Sequence, residues 1–378
     1  MNLISLSKWQ RLLGSRTFLS PPLTLINFLK SNLSDFPRKP PIPKALCIYV
    51  TYRCNMRCAI CGIWKIDSKN IKDSELSLEE FESILSDRLF SQLEFINING
   101  GEPHLREDLP LLAELFIHKF KKLRTLTINS NGLPPHKVLS NTEKIALLCK
   151  KKKVRFSVSI SLHELGTEFE RIAGISGAFE KVNKTLQGLK ELQKKYNFYL
   201  STNCVITPLN LYGLKRMMSW AERKLIPVNF TLGEVRERFN NLEQEENVRI
   251  EGKAKAYLIK FLKDLAQNKS LLNHHVFRYW ELARMVEKNS ERNLACHYAI
   301  GGVILGSKGE LYYCKDSRSL GNCLLKPAHS IYLDQENLRY RRENLIREKC
   351  KKCPPNTFNR FEFEKDLLKF LKFLVLRH

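Results

Sequence analysis

The sequence predicts a parallel α/β fold, a partial (β/α)6 TIM-like barrel followed by a small C-terminal α+β extension. Three observations lead there. Six short runs rich in β-branched and aromatic residues recur over the first two thirds of the chain, and stretches of helical period separate them. Polar residues gather where the runs end, which is where open parallel sheets carry their sites.

In chain order, residues 1–44 read as a helical, then proline-rich lead-in, with Pro37, Pro40, Pro41 and Pro43 imposing extended backbone. The core spans 45–235, with strands expected at 45–52, 94–100, 123–131, 154–162, 198–207 and 227–234. Right-handed βαβ crossovers then set them side by side. In the first crossover, LSLEEFESILSDRLF has helical period, and Ser77 precedes Glu80 by three positions as in a capping box. Residues 236–293 are charged and helical in pattern, a bridge. Over 294–360 the run AIGGVILG, a turn at 307–309 and ELYYC predict a β-hairpin. The tail, 361–378, places Lys365, Lys369 and Lys372 on one helical face and leucine and phenylalanine on most of the rest. Such a basic amphipathic helix docks on its own protein or lies on a membrane surface.

Composition narrows the class without naming a partner. With 43% hydrophobic and 27% charged residues the chain is an ordinary globular one. Its 63 basic against 39 acidic residues leave a formal charge of +24. That field favours anionic partners such as phosphorylated metabolites, acidic peptides, nucleic acid or anionic lipid. No specific nucleic-acid motif accompanies it. The N-terminal MNLISLSKWQRLLG lacks the layout of a secretory signal, and no apolar run reaches the roughly eighteen residues of a membrane span. A cytoplasmic protein, in peripheral contact with membrane at most, is expected. Eleven cysteines, an odd number, then read as metal ligands or buried thiols rather than disulfides. Cys47, Cys149 and Cys204, each isolated in an apolar or helical context, read as buried thiols.

The sharpest feature is CNMRCAIC, which places Cys54, Cys58 and Cys61 at C-x3-C-x2-C spacing directly after the first strand. A structural zinc site wants a fourth protein ligand, whereas a cubane cluster on three cysteines leaves one iron open. After the second expected strand stands Gly100-Gly101-Glu102-Pro103. The two motifs together, in this order, resemble the signature of the radical S-adenosylmethionine (radical SAM) superfamily. The resemblance implies a catalytic 4Fe-4S cluster on the three cysteines, with S-adenosylmethionine chelating the open iron and cleaved reductively to a 5'-deoxyadenosyl radical. It implies that Gly100, Gly101, Glu102 and Pro103 receive the methionyl ammonium. It also makes Asn129, Asn131, Ser159, Ser161 and Asn203, at the ends of the third to fifth strands, and Arg171 candidates for holding the rest of the cofactor. Ile60 stands where the family often has an aromatic residue.

A second cysteine set follows. Twelve residues separate Cys296 from Gly309, four separate Gly309 from Cys314, and Cys350 and Cys353 form a later C-x2-C before Pro354. This resembles the SPASM or Twitch extensions of the same superfamily, implying one auxiliary 4Fe-4S cluster on Cys296, Cys314, Cys350 and Cys353, with Cys323 a bystander. Structural zinc is the rival for these four.

The expected function is therefore a radical SAM enzyme that abstracts a hydrogen atom from substrate and uses an auxiliary cluster, supplied with electrons by flavodoxin or ferredoxin. His163 and Glu164, just after the fourth strand, are the candidate catalytic acid-base groups. Charge and amphipathic termini favour an anionic small-molecule or lipid-like substrate. A peptide-modifying maturase is the alternative, although only 44 residues precede the first strand, leaving no expectation of a fused peptide-binding domain. The reading from another class is a non-enzymatic iron-sulfur or zinc adaptor, against which the GGEP motif argues.

Overall fold

A computed structural model describes residues 39–66, 75–267, 274–356, 362 and 365–376. Most of the lead-in expected at 1–44 lies outside the described residues. The six strands form within the expected runs: β1 (Ala45–Tyr49), β2 (Phe95–Asn99), β3 (Thr125–Ser130), β4 (Arg155–Ser161), β5 (Tyr199–Ile206) and β6 (Val228–Leu232). Each pairs in parallel with the next in sequence. Helices α1 (Leu78–Leu85), α2 (Leu109–Lys119), α3 (Pro135–Lys152), α4 (Gly166–Ala173), α5 (Ala178–Tyr196) and α6 (Leu214–Lys224) lie in the connections. This is the (β/α)6 partial barrel. Helix α1 starts on the expected capping box, with the Glu80 amide donating to Ser77 Oγ at 3.2 Å and the Ser77 amide to Glu80 Oε2 at 2.7 Å.

Side chains alternate across the sheet with period two. Leu46, Ile48, Ile96, Ile98, Leu126, Ile128, Val158 and Ile160 share one face, each at most 1% exposed, and each contributes roughly 1.5–3 kcal/mol by burial against the helical layer. The opposite, concave face is polar. Its rows run Asn97–Thr127–Ser157, then Asn129–Ser159–Ser201, then Ser161–Asn203–Asn229, in register across the strands. A core made by one face alone leaves the other free to line a site.

The expected hairpin forms as β7 (Gly302–Leu305) and β8 (Glu310–Tyr312), followed by β9 (Gly321–Asn322). It does not make a sheet of its own. β7 pairs in parallel with β1, giving the order β6-β5-β4-β3-β2-β1-β7-β8-β9. The reason is physical: the open edge of β1 would leave unpaired N–H and C=O groups, and β7 is buried along its whole length. Gly309 makes the turn with φ of +90°, and a β-carbon there would sit 2.7 Å from Asn322 Oδ1.

Contacts divide the chain into two units. One holds the sheet, Ile42–Arg249 with Gly301–Arg339; the other joins Ile250–Ile300 to Tyr340–His378 and to the N-terminal residues through Pro41. In the helical unit α7 (Lys253–Gln267) packs on α8 (His274–Lys288). The tail forms α9 (Leu367–Leu376). Phe373 and Phe370 pack on Val276, Phe277 and Leu294, and Lys369 Nζ donates to the Asn293 carbonyl at 2.7 Å. The tail thus docks on its own unit by one face, with Leu368 and Leu371 exposed on another. No helix among the described residues is long and apolar enough to cross a membrane. Ser77→Ala removes the N-cap acceptor of α1 and is expected to lower the unfolding free energy by about 1 kcal/mol in urea titrations.

Candidate active site at the cysteine loop

The segment from Thr51 to Gly62 contains no helix or strand and is held by the chain around it. Thr51 O accepts from the Gly101 amide at 2.8 Å, and Arg53 O from the Glu102 amide at 2.7 Å. This approach requires glycine twice. A β-carbon on Gly100 would lie 2.4 Å from Thr51 O, and one on Gly101 would lie 2.2 Å from Arg53 O. The two glycines expected to admit the methionyl ammonium therefore first admit the backbone that leads into the cysteines. On the other side the Arg57 and Ala59 amides donate to Ala173 O and Ile172 O at the end of α4, at 2.9 and 2.8 Å.

Glu102 is the second fastener. It is fully buried. Oε1 accepts from the His104 amide at 3.1 Å and Ser130 Oγ at 2.9 Å, and Oε2 from the Asn131 amide at 2.6 Å. The carboxyl thus ties the β2 loop to the end of β3. Both of its oxygens are thereby engaged within the protein. Burial raises its pKa to about 7 despite those three donors. Behind it His104 is buried with neither ring nitrogen hydrogen-bonded, and burial lowers its pKa to about 3.

Cys54, Cys58 and Cys61 are partly buried and free. Burial raises the Cys61 thiol to about 11, with the charge of Cys54 adding to it. Burial, then Cys61 and Cys54, push Cys58 up. Burial likewise raises Cys54, against hydrogen bonds from the Met56 amide and Asn131. Asn131 Nδ2 stands 3.7 Å from Cys54 Sγ and donates to Asn55 Oδ1 at 2.8 Å. The Ile63 amide serves Cys61 in the same way. Three sulfurs within electrostatic reach of one another that resist ionisation on their own, two of them already receiving N–H bonds, suit a thiolate-ligated metal cluster, whose positive charge would ionise them.

The other candidates divide. Ser159, Ser161, Asn129 and Asn203 share the concave face, and Asn129 Nδ2 is spent on Asn97 and Asn99 at 3.1 and 2.7 Å. Pro103 opens a buried turn behind the loop. Three calls are corrected. Arg171 is exposed and bound to Glu168 at 2.8 Å and to Leu209 O at 3.2 Å. His163 is buried, its Nδ1 accepts from the Val205 amide at 3.2 Å, and burial lowers its pKa to about 4. Glu164 is buried against Gly213 and paired with Arg216 at 3.1 Å. Each is committed to partners within the fold.

The segment after β6 was missed. Residues 236–249, read as the start of a bridge, cover the cysteine loop. Phe239 O accepts from the Gly62 amide at 2.8 Å, while Asn240, Asn241 and Asn247 donate to the carbonyls of Gly62, Ile60 and Ala59 at 3.1, 3.1 and 3.3 Å. No local signal marks these asparagines, since their partners lie nearly half the chain away.

Of the second cysteine set, Cys296, Cys350 and Cys353 lie in the helical unit within electrostatic reach of buried Arg292. Cys314 lies in the sheet unit just past β8. Ligand atoms of Cys296, His297 and Glu362 fall within 4.8 Å of one another, and Glu362 accepts from the His297 amide at 3.1 Å. Cys323 stands in the sheet unit, where burial raises its thiol to about 12. Cys47, Cys149 and Cys204 are buried thiols, as expected.

The first strand of the barrel thus leads directly into three cysteines at the edge of a polar interior. Residues 48–220 match the family model described as Radical SAM superfamily, so the chain carries a domain of that superfamily. It is 28% identical over 177 residues to a probable GTP 3',8-cyclase of Sulfurisphaera tokodaii, covering 46% of this chain and 50% of that one. It is 27% identical over 180 residues to an Fe-coproporphyrin III synthase of Methanosarcina barkeri, covering 47% and 41%. The match spans about half the length of these curated relatives. Among solved structures, SuiB of Streptococcus suis bound to S-adenosylmethionine superposes with a TM-score of 0.56 at 15% identity, over 96% of this chain and 83% of that one. Native anSMEcpe with bound AdoMet gives 0.56 at 18%, over 88% and 98%.

Two outcomes follow from this geometry. Gly101→Ala forces the loops apart and is expected to destabilise the fold by roughly 1–3 kcal/mol in urea, as overpacking does, and to lower the iron retained after reconstitution. Glu102 keeps its proton when folded up to about pH 7, whereas an ordinary carboxyl loses it near 4.5. Unfolding between these values releases a proton, so wild-type stability falls as pH rises. Against Glu102→Gln, the wild type is expected to lose up to roughly 3 kcal/mol of unfolding free energy between about pH 5 and about pH 8.

Proposed function

We propose that this chain binds S-adenosylmethionine at Cys54, Cys58 and Cys61, generates a 5'-deoxyadenosyl radical there, and removes a hydrogen atom from an anionic substrate held in the barrel. The observation that carries the reading is the three-thiol loop, fastened by Gly100, Gly101 and Glu102 at the mouth of a polar interior. Cys54, Cys58 and Cys61 would hold a 4Fe-4S cluster, which would supply low-potential electron transfer to the sulfonium. The chain's own residues do the rest. Asn131 and the Met56 amide donate to the Cys54 sulfur and the Ile63 amide to the Cys61 sulfur, and these bonds would stabilise thiolate charge. Carbonyls around Gly100 and Gly101 accept from the methionyl ammonium, and Ser159, Ser161 and Asn203 present hydroxyl and amide groups to the cofactor and substrate. The buried layers around the interior keep water from the radical.

The auxiliary cluster belongs to the same proposal, on Cys296, Cys314, Cys350 and Cys353, as acceptor of the electron left on the substrate. An anionic substrate is supported by the chain's charge of +24 and by a relative named for GTP. The peptide-modifying alternative rests on likeness of fold to SuiB, solved with its precursor peptide SuiA, and to anSMEcpe, solved with a bound peptide. Flavodoxin or ferredoxin is the proposed reductant.

Anaerobic reconstitution followed by dithionite and S-adenosylmethionine tests the reading. The wild type is expected to form 5'-deoxyadenosine and carry about eight irons, and a Cys54/Cys58/Cys61→Ala variant to form none and carry about four. Zinc in place of iron, with no nucleoside formed, would move the protein to a metal-binding adaptor.

A further inference from the structure

Just beyond β6, two arginines of the segment that covers the cysteine loop differ in how their charge is met. Arg236 is paired with Glu234 and Asp316, and Glu234 is shared with Lys315. Arg238 forms no ion pair among the described residues. Its Nη1 and Nη2 are closed to solvent and make no hydrogen bond there. Its guanidinium carbon lies 4.5 Å from the ring centre of Tyr49 and 4.3 Å from that of Tyr312.

The rings attract the guanidinium through cation–π contact, while its two Nη groups are left to be satisfied. A planar, bidentate oxyanion meets that need, as carboxylate and phosphate do. Glu310, on the same strand as Tyr312, turns to the β7–β8 turn, where Oε2 accepts from the Lys308 amide at 3.1 Å. The site borders the cysteine loop: Phe239, the next residue, accepts from the Gly62 amide, and Tyr49 lies within electrostatic reach of Cys61.

We propose that Arg238, clamped between Tyr49 and Tyr312, binds an oxyanion of the substrate, a phosphate or a carboxylate, and so sets which C–H bond reaches the radical. This rests on the functional reading above and adds to it the group by which the substrate is recognised.

The test is calorimetric titration of inorganic phosphate, and separately acetate, into the anaerobically reconstituted full chain saturated with S-adenosylmethionine. Binding to the wild type is expected, the tighter probe naming the substrate's anion. Arg238→Gln is expected to weaken it at least tenfold, about 1.4 kcal/mol. Arg342→Gln, an exposed arginine paired with Glu343, is expected to leave it unchanged. Should Arg238→Gln not fold, as read by circular dichroism, Arg238→Lys keeps the charge without the fork and is expected to weaken binding severalfold. No binding to the wild type, or equal binding by the Arg238 variants, overturns the proposal. So does phosphate binding that appears only when S-adenosylmethionine is left out, because the guanidinium would then serve the cofactor's own carboxylate. The deoxyadenosine assay on the same preparation separates the two readings. Nucleoside without probe binding sinks the clamp alone; Arg238-dependent binding without nucleoside sinks the functional reading and leaves the clamp.

Discussion

The position of the cysteine loop depends on how closely two backbones approach one another, at Thr51–Arg53 and at Gly100–Glu102. The loop has no regular structure to fix it, so its three thiols stand where its neighbours place them. Hydrogen bonds from Gly101 and Glu102, at 2.8 and 2.7 Å, dock it on the end of β2. The Glu102 carboxyl carries the constraint on to Ser130 and Asn131 at the end of β3, and Asn131 returns it to Cys54. Strand ends, a buried carboxyl and a sulfur thereby form one connected frame. A frame of this kind suits chemistry that depends on holding reactants at short, fixed separations.

Charge is distributed unevenly between the outside and the inside. The excess of basic residues is largely a matter of the surface, while charges near the barrel mouth are met in pairs: Arg53 by Glu75, Arg106 by Asp108, Arg216 by Glu164, and Arg236 by Glu234. The concave face itself is lined by amides and hydroxyls, which orient a bound molecule without adding net charge. Against that background a single arginine held between two tyrosines has more effect on what binds than the net charge of the whole chain, since interactions in a shielded site are weakened less by solvent and salt.

The second cysteine set shows a different arrangement. Around Cys296, Cys350 and Cys353 the helical unit gathers Arg292, His297 and Glu362, so acid, base and thiol share one neighbourhood. Glu362 is fully buried and is met by both Arg292 and His297. This neighbourhood is built from residues far apart in sequence, which is why cysteine spacing alone reveals only part of it.

What the sequence by itself determined is what period and local chemistry encode. Alternating apolar residues set the six strands, because a half-buried strand needs one dry face. The Ser77–Glu80 spacing marked a helix start, because both partners lie within one turn, and CNMRCAIC marked a candidate metal site, because three thiols that close in sequence have few other uses. Tertiary structure decided everything that depends on long-range partners. It made the hairpin an extension of the barrel sheet, because β1 had an open edge; it buried His163 against the Val205 amide and Glu164 against Arg216, and left Arg171 exposed beside Glu168. It also brought Asn241 to Ile60 and Arg238 to Tyr49 across some 180 residues, separations over which neither spacing nor composition carries a signal.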